Sequence, residues 1–161
     1  VPLFKHERPT EILSALISNI CVEKDINILN AGKTTFRKRA KAKGVEADTA
    51  FYIQNESQIR GLSDIDLSKN PPPDLVVEVD ITSPSLNKIP IYAALGVTEV
   101  WLYKSKKVEF FQLVGEKYQP IKNSIALPFL SSEKATEFLQ KGLNEIYNKW
   151  VKEVRNWANE Q

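Results

Sequence analysis

The stretch Pro71-Pro72-Pro73-Asp74-Leu75-Val76-Val77-Glu78-Val79-Asp80-Ile81 reads as a buried β-strand over 75–81, rich in valine and preceded by proline. Side chains alternate faces along a strand, so Asp74, Glu78 and Asp80 share one face while Leu75, Val77, Val79 and Ile81 line the other. Three carboxylates on one face of an apolar strand repel one another and resist burial. A buried charge has to be paired or has to bind a metal, and a divalent cation such as Mg²⁺ is the simplest partner for clustered hard oxygens. Alternatively, Asp74 and Asp80 sit in water at the strand ends and Glu78 pairs with a Lys or Arg. A mid-strand glutamate is less ordinary than an acid at a strand end.

The residues just downstream favour a site. Asn87 is a suitable N-cap, Pro90 fits only a first turn and Gly96 is a good stop, which predicts a short helix from about Lys88 to Leu95. Lys88 then lies at the positive end of that helix, where a cation is disfavoured by about 0.3–1 kcal/mol. A lysine placed there, after an acidic strand, points at something negative: the carboxylates or an anionic substrate.

Upstream, residues from about Glu7 to Val22 read as an amphipathic helix, with Leu13, Leu16, Ile17, Ile20 and Cys21 on one stripe and Pro9 in the first turn. His6, Glu7 and Glu11 cluster around its start. His6 is read either as a capping or packing residue or as an acid–base contributor. Asn27 to Ala31 and Thr34 to Arg37 suggest two short strands joined by a tight turn at Gly32-Lys33. Arg37, Lys38, Arg39, Lys41 and Lys43 then crowd one short run, either a solvated loop or a contact for a phosphate backbone. Val45 to Ile53 reads as a further strand with Asp48 on the face of Ala50 and Tyr52. The loop from Gln54 to Pro73 is long enough to expect a functional role.

Downstream, Thr98 to Tyr103, Lys107 to Val114 and Lys117 to Ile121 form an antiparallel meander whose aromatics Trp101, Tyr103, Phe110 and Phe111 read as core and cross-strand packing. Leu139, Leu143, Ile146, Trp150, Val154 and Trp157 step along one long helix, about Glu133 to Ala158. At 1.5 Å per residue it would span on the order of 40 Å, more than the sheet beside it needs. The overhang over 131–161 is a candidate homodimer contact, although packing on the sheet explains the stripe equally well.

The 161 residues predict a single domain with a real core, and apolar and charged fractions of 42% and 26% are those of an ordinary globular protein. A net charge of +2 gives no whole-molecule attraction for polyanions, so any nucleic-acid contact is a local patch. A lone Cys21 excludes an internal disulfide, and with no membrane or secretory segment in view the expected location is the cytoplasm. Gly-rich phosphate loops, paired Cys/His zinc spacings and Gly-x-Ser-x-Gly elbows are absent.

The element order, with Glu46-Ala47-Asp48, Phe51-Tyr52-Ile53, the proline-led acidic strand, Lys88-Ile89-Pro90-Ile91-Tyr92-Ala93-Ala94-Leu95-Gly96-Val97 and Glu99-Val100-Trp101, resembles the PD-(D/E)XK nuclease superfamily. Within it, the chain is similar to the Uma-type family of restriction endonuclease-like proteins. That resemblance implies an α/β restriction endonuclease-like core: a mixed central sheet flanked by an N-terminal helix, a short middle helix and the long C-terminal helix. Asp48 matches the motif aspartate, Glu78 the acid of the (D/E)XK half, and Lys88 the lysine that this family supplies from the following helix. Ala47 stands for the motif proline, and Asp80 occupies the superfamily's usual lysine position, so the lysine's role rests on Lys88. Glu7 or Glu11 would be the helix-one acid. The implied activity is Mg²⁺- or Mn²⁺-dependent hydrolysis of phosphodiester bonds in DNA. Asp48, Glu78 and the Val79 carbonyl would hold the ion, and Asp74 or Asp80 would reach it directly or through water. The alternative is a catalytically inactive module on the same fold that binds nucleic acid or a protein.

Overall fold

Apolar residues spaced three and four apart set the first element, α1 (Phe4–Glu23), which buries Ile12, Leu13, Leu16, Ile17, Ile20 and Cys21. A computed structural model of the chain describes residues 3–39, 44–79 and 87–161. The helix begins three residues before the expected start, and Pro9 lies inside it. The missing amide there forfeits one bond, to the carbonyl of exposed Lys5, and the ring itself is buried. Burial pushes the Cys21 thiol up to about 12, as befits an inert core residue.

Thereafter the chain runs β1 (Leu29–Asn30), β2 (Thr35–Phe36), β3 (Val45–Glu46), β4 (Thr49–Tyr52), α2 (Glu56–Ile59), β5 (Leu75–Val79), α3 (Ile89–Leu95), β6 (Glu99–Lys104), β7 (Lys107–Val114), β8 (Lys117–Ile121), α4 (Ser132–Gly142) and α5 (Tyr147–Asn159). A six-stranded mixed sheet has the order β1-β4-β5-β6-β7-β8; β5 and β6 are parallel, joined through α3, and the other neighbours are antiparallel. One apolar cluster lies beneath α1, α4 and α5 and takes Phe51, Leu75 and Val77; the other gathers Ala50, Tyr52 and Val76 with Tyr92 of α3. The alternation expected for the central strand is therefore the division between two cores. Trp101 and Phe110 stack at 4.1 Å between ring centroids within the first core, so these aromatics pack rather than bind.

Four local expectations differ from the structure. β1 and β2 do not form a hairpin: β1 pairs with β4, whereas β2 pairs with β3 in a separate two-stranded ribbon. The strand expected over 45–53 is consequently broken at Ala47-Asp48, where the chain passes from ribbon to main sheet. Lys88, not Asn87, occupies the N-cap of α3, without a side-chain cap bond, while Gly96 ends the helix in the left-handed conformation at φ 83°. The 54–73 loop contains α2, whose Ile59 enters the second core, and its Pro71 carbonyl accepts from the Tyr52 hydroxyl at 3.0 Å. That loop has a packing role.

The single long C-terminal helix is a correction as well. Two helices replace it, α4 capped by the Ser131 hydroxyl and α5 starting after Ile146, so α5 folds back against α1. No 40 Å rod overhangs the sheet, and the expected dimer contact over 131–161 loses its basis. The break coincides with a close approach: a Cβ on Gly142 would stand 2.7 Å from Ile12 Cγ2 and 2.8 Å from Trp150 Cε2. Gly142→Ala is therefore expected to destabilise by about 1–2 kcal/mol in urea titrations. Overpacking costs about 1–3 kcal/mol and outweighs the gain of up to about 1 kcal/mol in helix propensity.

A buried acid with no part in any predicted site holds the sheet's far side. Glu99, wholly buried, accepts from the Trp101 indole at 2.7 Å and from the Ile125 and Ala126 amides at 3.1 and 2.9 Å. Burial raises its carboxyl pKa, and these donors act against that rise. Among the described residues, no helix is long and apolar enough to cross a membrane.

Candidate active site

The register between β4 and β5 pairs Thr49 with Val77, so one step outward sets Asp48 opposite Glu78 on the same face. Residues paired in this way have Cβ atoms about 4.5–5.5 Å apart. Asp48 occupies the bend just before β4 and is fixed from two sides: its Oδ2 accepts from the Val79 amide at 2.8 Å, and its Oδ1 lies 3.3 Å from His6 Nε2 on α1. Val79 thus meets Asp48 through its N–H rather than its carbonyl. Glu78 is 1% exposed, and the hydroxyl of wholly buried Tyr92 donates to its Oε1.

Lys88 completes the group. Its Nζ donates to the Glu46 carbonyl at 2.8 Å and lies 3.4 and 3.5 Å from the two Glu78 oxygens. Half-buried at the head of α3, it keeps access to solvent while facing the acids. Asp48, Glu78 and Lys88 therefore come together from β4, β5 and α3, with His6 reaching in from α1.

The electrostatics follow from this crowding. Burial pushes the Glu78 carboxyl up to about 7; the Tyr92 hydroxyl opposes the rise, the neighbouring Asp48 adds to it, and the Lys88 ammonium again opposes it. The folded state accordingly holds a proton that the unfolded chain releases near the ordinary carboxylate value. This contribution to stability is present below about pH 4.5 and disappears as pH rises through about 7. Its size is on the order of 3 kcal/mol, from about 1.4 kcal/mol for each pH unit of displacement. In EDTA, the melting temperature of the wild type is expected to fall between pH 4.5 and 8 more steeply than that of Glu78→Gln. Equal slopes would remove Glu78 as the titrating group.

Other candidates stand elsewhere. Asp74 shares the face of Glu78 but lies four positions along the strand, roughly 13 Å away at 3.3 Å per residue. Both its oxygens are engaged, accepting from the Ile53 amide (2.7 Å), the Asn55 amide (3.0 Å) and the Asn55 side chain (2.9 Å). It is a clamp for the turn after β4, which removes it from the carboxylate cluster expected from strand alternation. Glu7 pairs with Lys33 at 3.3 Å, and Glu11 is exposed beside Ser14 and Tyr147. Neither helix-one acid touches Asp48; His6 does so instead, from the start of α1, while Ser14 further along the helix meets Thr49 of β4 at 3.4 Å. Arg37, Lys38 and Arg39 follow β2, the latter two exposed. Asp80, Lys41 and Lys43 lie outside the described residues. Sequence reasoning misses Tyr92, although it follows Lys88 by four residues and so shares its helix face.

The donor set suits a hard divalent ion. Among the described residues no three His, Cys, Asp or Glu side chains converge as a full metal cage. Two carboxylates are present, and Mg²⁺ is commonly bound through one or two carboxylates while retaining several waters. The mutual repulsion that helps to raise the Glu78 carboxyl is also what a dication would relieve.

A family model described as "Uma2: Putative restriction endonuclease" matches residues 1–144. A search of curated proteins found no match. Among solved structures, a crystal structure described as a putative nuclease belonging to DUF820, from Anabaena variabilis, is similar with a TM-score of 0.55 and 15% identity, over 86% of this chain and 84% of that one. At that identity the likeness speaks to the fold alone.

Proposed function

The chain belongs to the Uma2 family, described as "Putative restriction endonuclease", and from that premise we propose that it is a metal-dependent endonuclease hydrolysing phosphodiester bonds in DNA, working in the cytoplasm. The observation that carries this reading is the meeting of Asp48, Glu78 and Lys88 from three separate elements at one end of the β4–β5 pair. Asp48 and Glu78, with the Val79 carbonyl, are the residues to hold Mg²⁺ or Mn²⁺. When bound, such an ion polarises the phosphate and lowers the pKa of an attacking water.

The chain's own groups have distinct tasks in this reading. The Val79 amide and His6 fix the Asp48 carboxylate, and the Tyr92 hydroxyl fixes one oxygen of Glu78. Lys88, held by the Glu46 carbonyl, keeps a positive charge beside the acids, where it orients water or meets negative charge growing on the phosphate. Because the lysine is supplied by α3, the Asp80 position is free of that duty.

A second reading, a nucleic-acid or protein-binding module without turnover, is favoured by one observation: Glu78 is already served by Tyr92 and Lys88. Nicking of supercoiled plasmid separates the two. The nuclease reading expects relaxed circles from wild type with Mg²⁺ or Mn²⁺ and none with EDTA. Salt-sensitive DNA retention with no nicking under either ion would sink it.

A further inference from the structure

A groove of about 670 Å³ runs between the start of α1, the β6–β7 turn and Leu143. Its cations are Lys5 and Arg8 from the helix and Lys104 and Lys106 from the turn, and among the described residues no acidic side chain lines it. Two aromatic rings complete the wall: Tyr103, and a Phe4 left 80% exposed with the Arg8 guanidinium 6.0 Å from its centroid. A net charge of +2 over the whole chain makes this concentration local rather than general.

Both walls are neighbours of residues that touch Asp48. On the sheet, Tyr103 is the β6 backbone partner of Val79, the residue whose amide holds Asp48, and its ring lies on the α1 face of the sheet, opposite the face of Glu78 and Tyr92. On the helix, Lys5 immediately precedes His6, which touches Asp48, and Arg8 follows two residues later. The turn is also held in place from behind. Gln140 of α4 donates to the Tyr103 hydroxyl at 3.0 Å and to the Lys106 carbonyl at 3.2 Å. Ser105 and Lys106 both adopt positive φ, 53° and 63°, which carries the chain sharply from β6 into β7.

We propose that this groove holds the phosphate backbone of the nucleic-acid strand flanking the scissile bond, with Lys5, Arg8, Lys104 and Lys106 on successive phosphates and Phe4 beside an unpaired base. Charge and shape together favour that occupant. Four cations lining one trough suit a polyanion, and an exposed ring against a basic rim is a stacking surface for bases. The assignment of the strand as substrate rests on the nuclease reading above; the binding itself does not.

The test uses the full-length chain and Lys104→Ala/Lys106→Ala, both changes being on an exposed turn. Binding to a fluorescein-labelled oligonucleotide is measured by anisotropy in EDTA from 50 to 200 mM salt. The variant is expected to bind about 10-fold or more weakly, with the slope of log K against log salt reduced by about 1.4–1.8, at about 0.7 to 0.9 for each phosphate that is no longer neutralised. Turnover of bis(p-nitrophenyl) phosphate, which has no flanking nucleotides, is expected to be unchanged. Equal affinity and equal slope would overturn the groove while leaving the nuclease standing. Failure of wild type to cut either substrate, with the expected weakening of binding, would sink the nuclease and leave the groove. Displacement of a labelled polyglutamate but not of the oligonucleotide would assign the groove to an acidic protein and overturn the proposal.

Discussion

Glu78→Gln is expected to nick plasmid about 10³-fold more slowly than wild type in saturating Mn²⁺, and Glu78→Ala to be at least as slow. Losing the charge stabilisation that a carboxylate-held dication provides removes several kcal/mol, and each 1.36 kcal/mol is tenfold in rate. Glutamine is the more informative substitution. It fills the same buried volume and still offers an oxygen to the Tyr92 hydroxyl, whereas alanine leaves a void and an unpartnered buried donor worth about 1–3 kcal/mol. Circular dichroism and melting at pH 8 are thus expected to show Glu78→Gln folded and no less stable than wild type, since it no longer forces a charge into a buried position. Undiminished nicking by the folded glutamine variant would take Glu78 out of the chemistry.

Lys88→Ala is expected to lower the single-turnover rate by about 10²–10³-fold, the range for removing one preorganised donor to developing negative charge. Oligonucleotide affinity in EDTA is expected to stay within about twofold, because one half-buried ammonium tied to Glu46 and Glu78 adds little to polyanion binding. There is a further signature. The Lys88 charge holds the Glu78 carboxyl down, so its removal raises that carboxyl beyond about 7 and moves the remaining activity toward higher pH. Rates equal to wild type at every pH would take Lys88 out of the chemistry.

Asp74 shows why strand alternation could not finish the site. Asp74 and Glu78 share a face, yet Asp74 is consumed by the Ile53 and Asn55 amides of a turn some twenty residues earlier in the chain. Periodicity reports which way a side chain points and nothing about what meets it there. Helix one poses the same problem. Glu7 and Glu11 have the right chemistry, but the helix phase that buries Leu13 and Leu16 turns His6, not either acid, toward Asp48. The C-terminal stripe is interrupted at exposed Ile146, where the chain breaks between α4 and α5 just after the close approach of Ile12 and Trp150 to Gly142.

By itself the sequence determined the elements whose signal is local. These are the valine-rich β5, the meander β6 to β8 with its turns, the short α3 ending at Gly96, and the candidacy of Asp48, Glu78 and Lys88. Tertiary structure alone decided which of these meet. Pairing β4 against β5 with Thr49 opposite Val77 brings together two carboxylates thirty residues apart, and α3 closes over them to add Lys88 and Tyr92. Register and helix packing are fixed by burial of both sheet faces at once, a condition that no single window of residues contains.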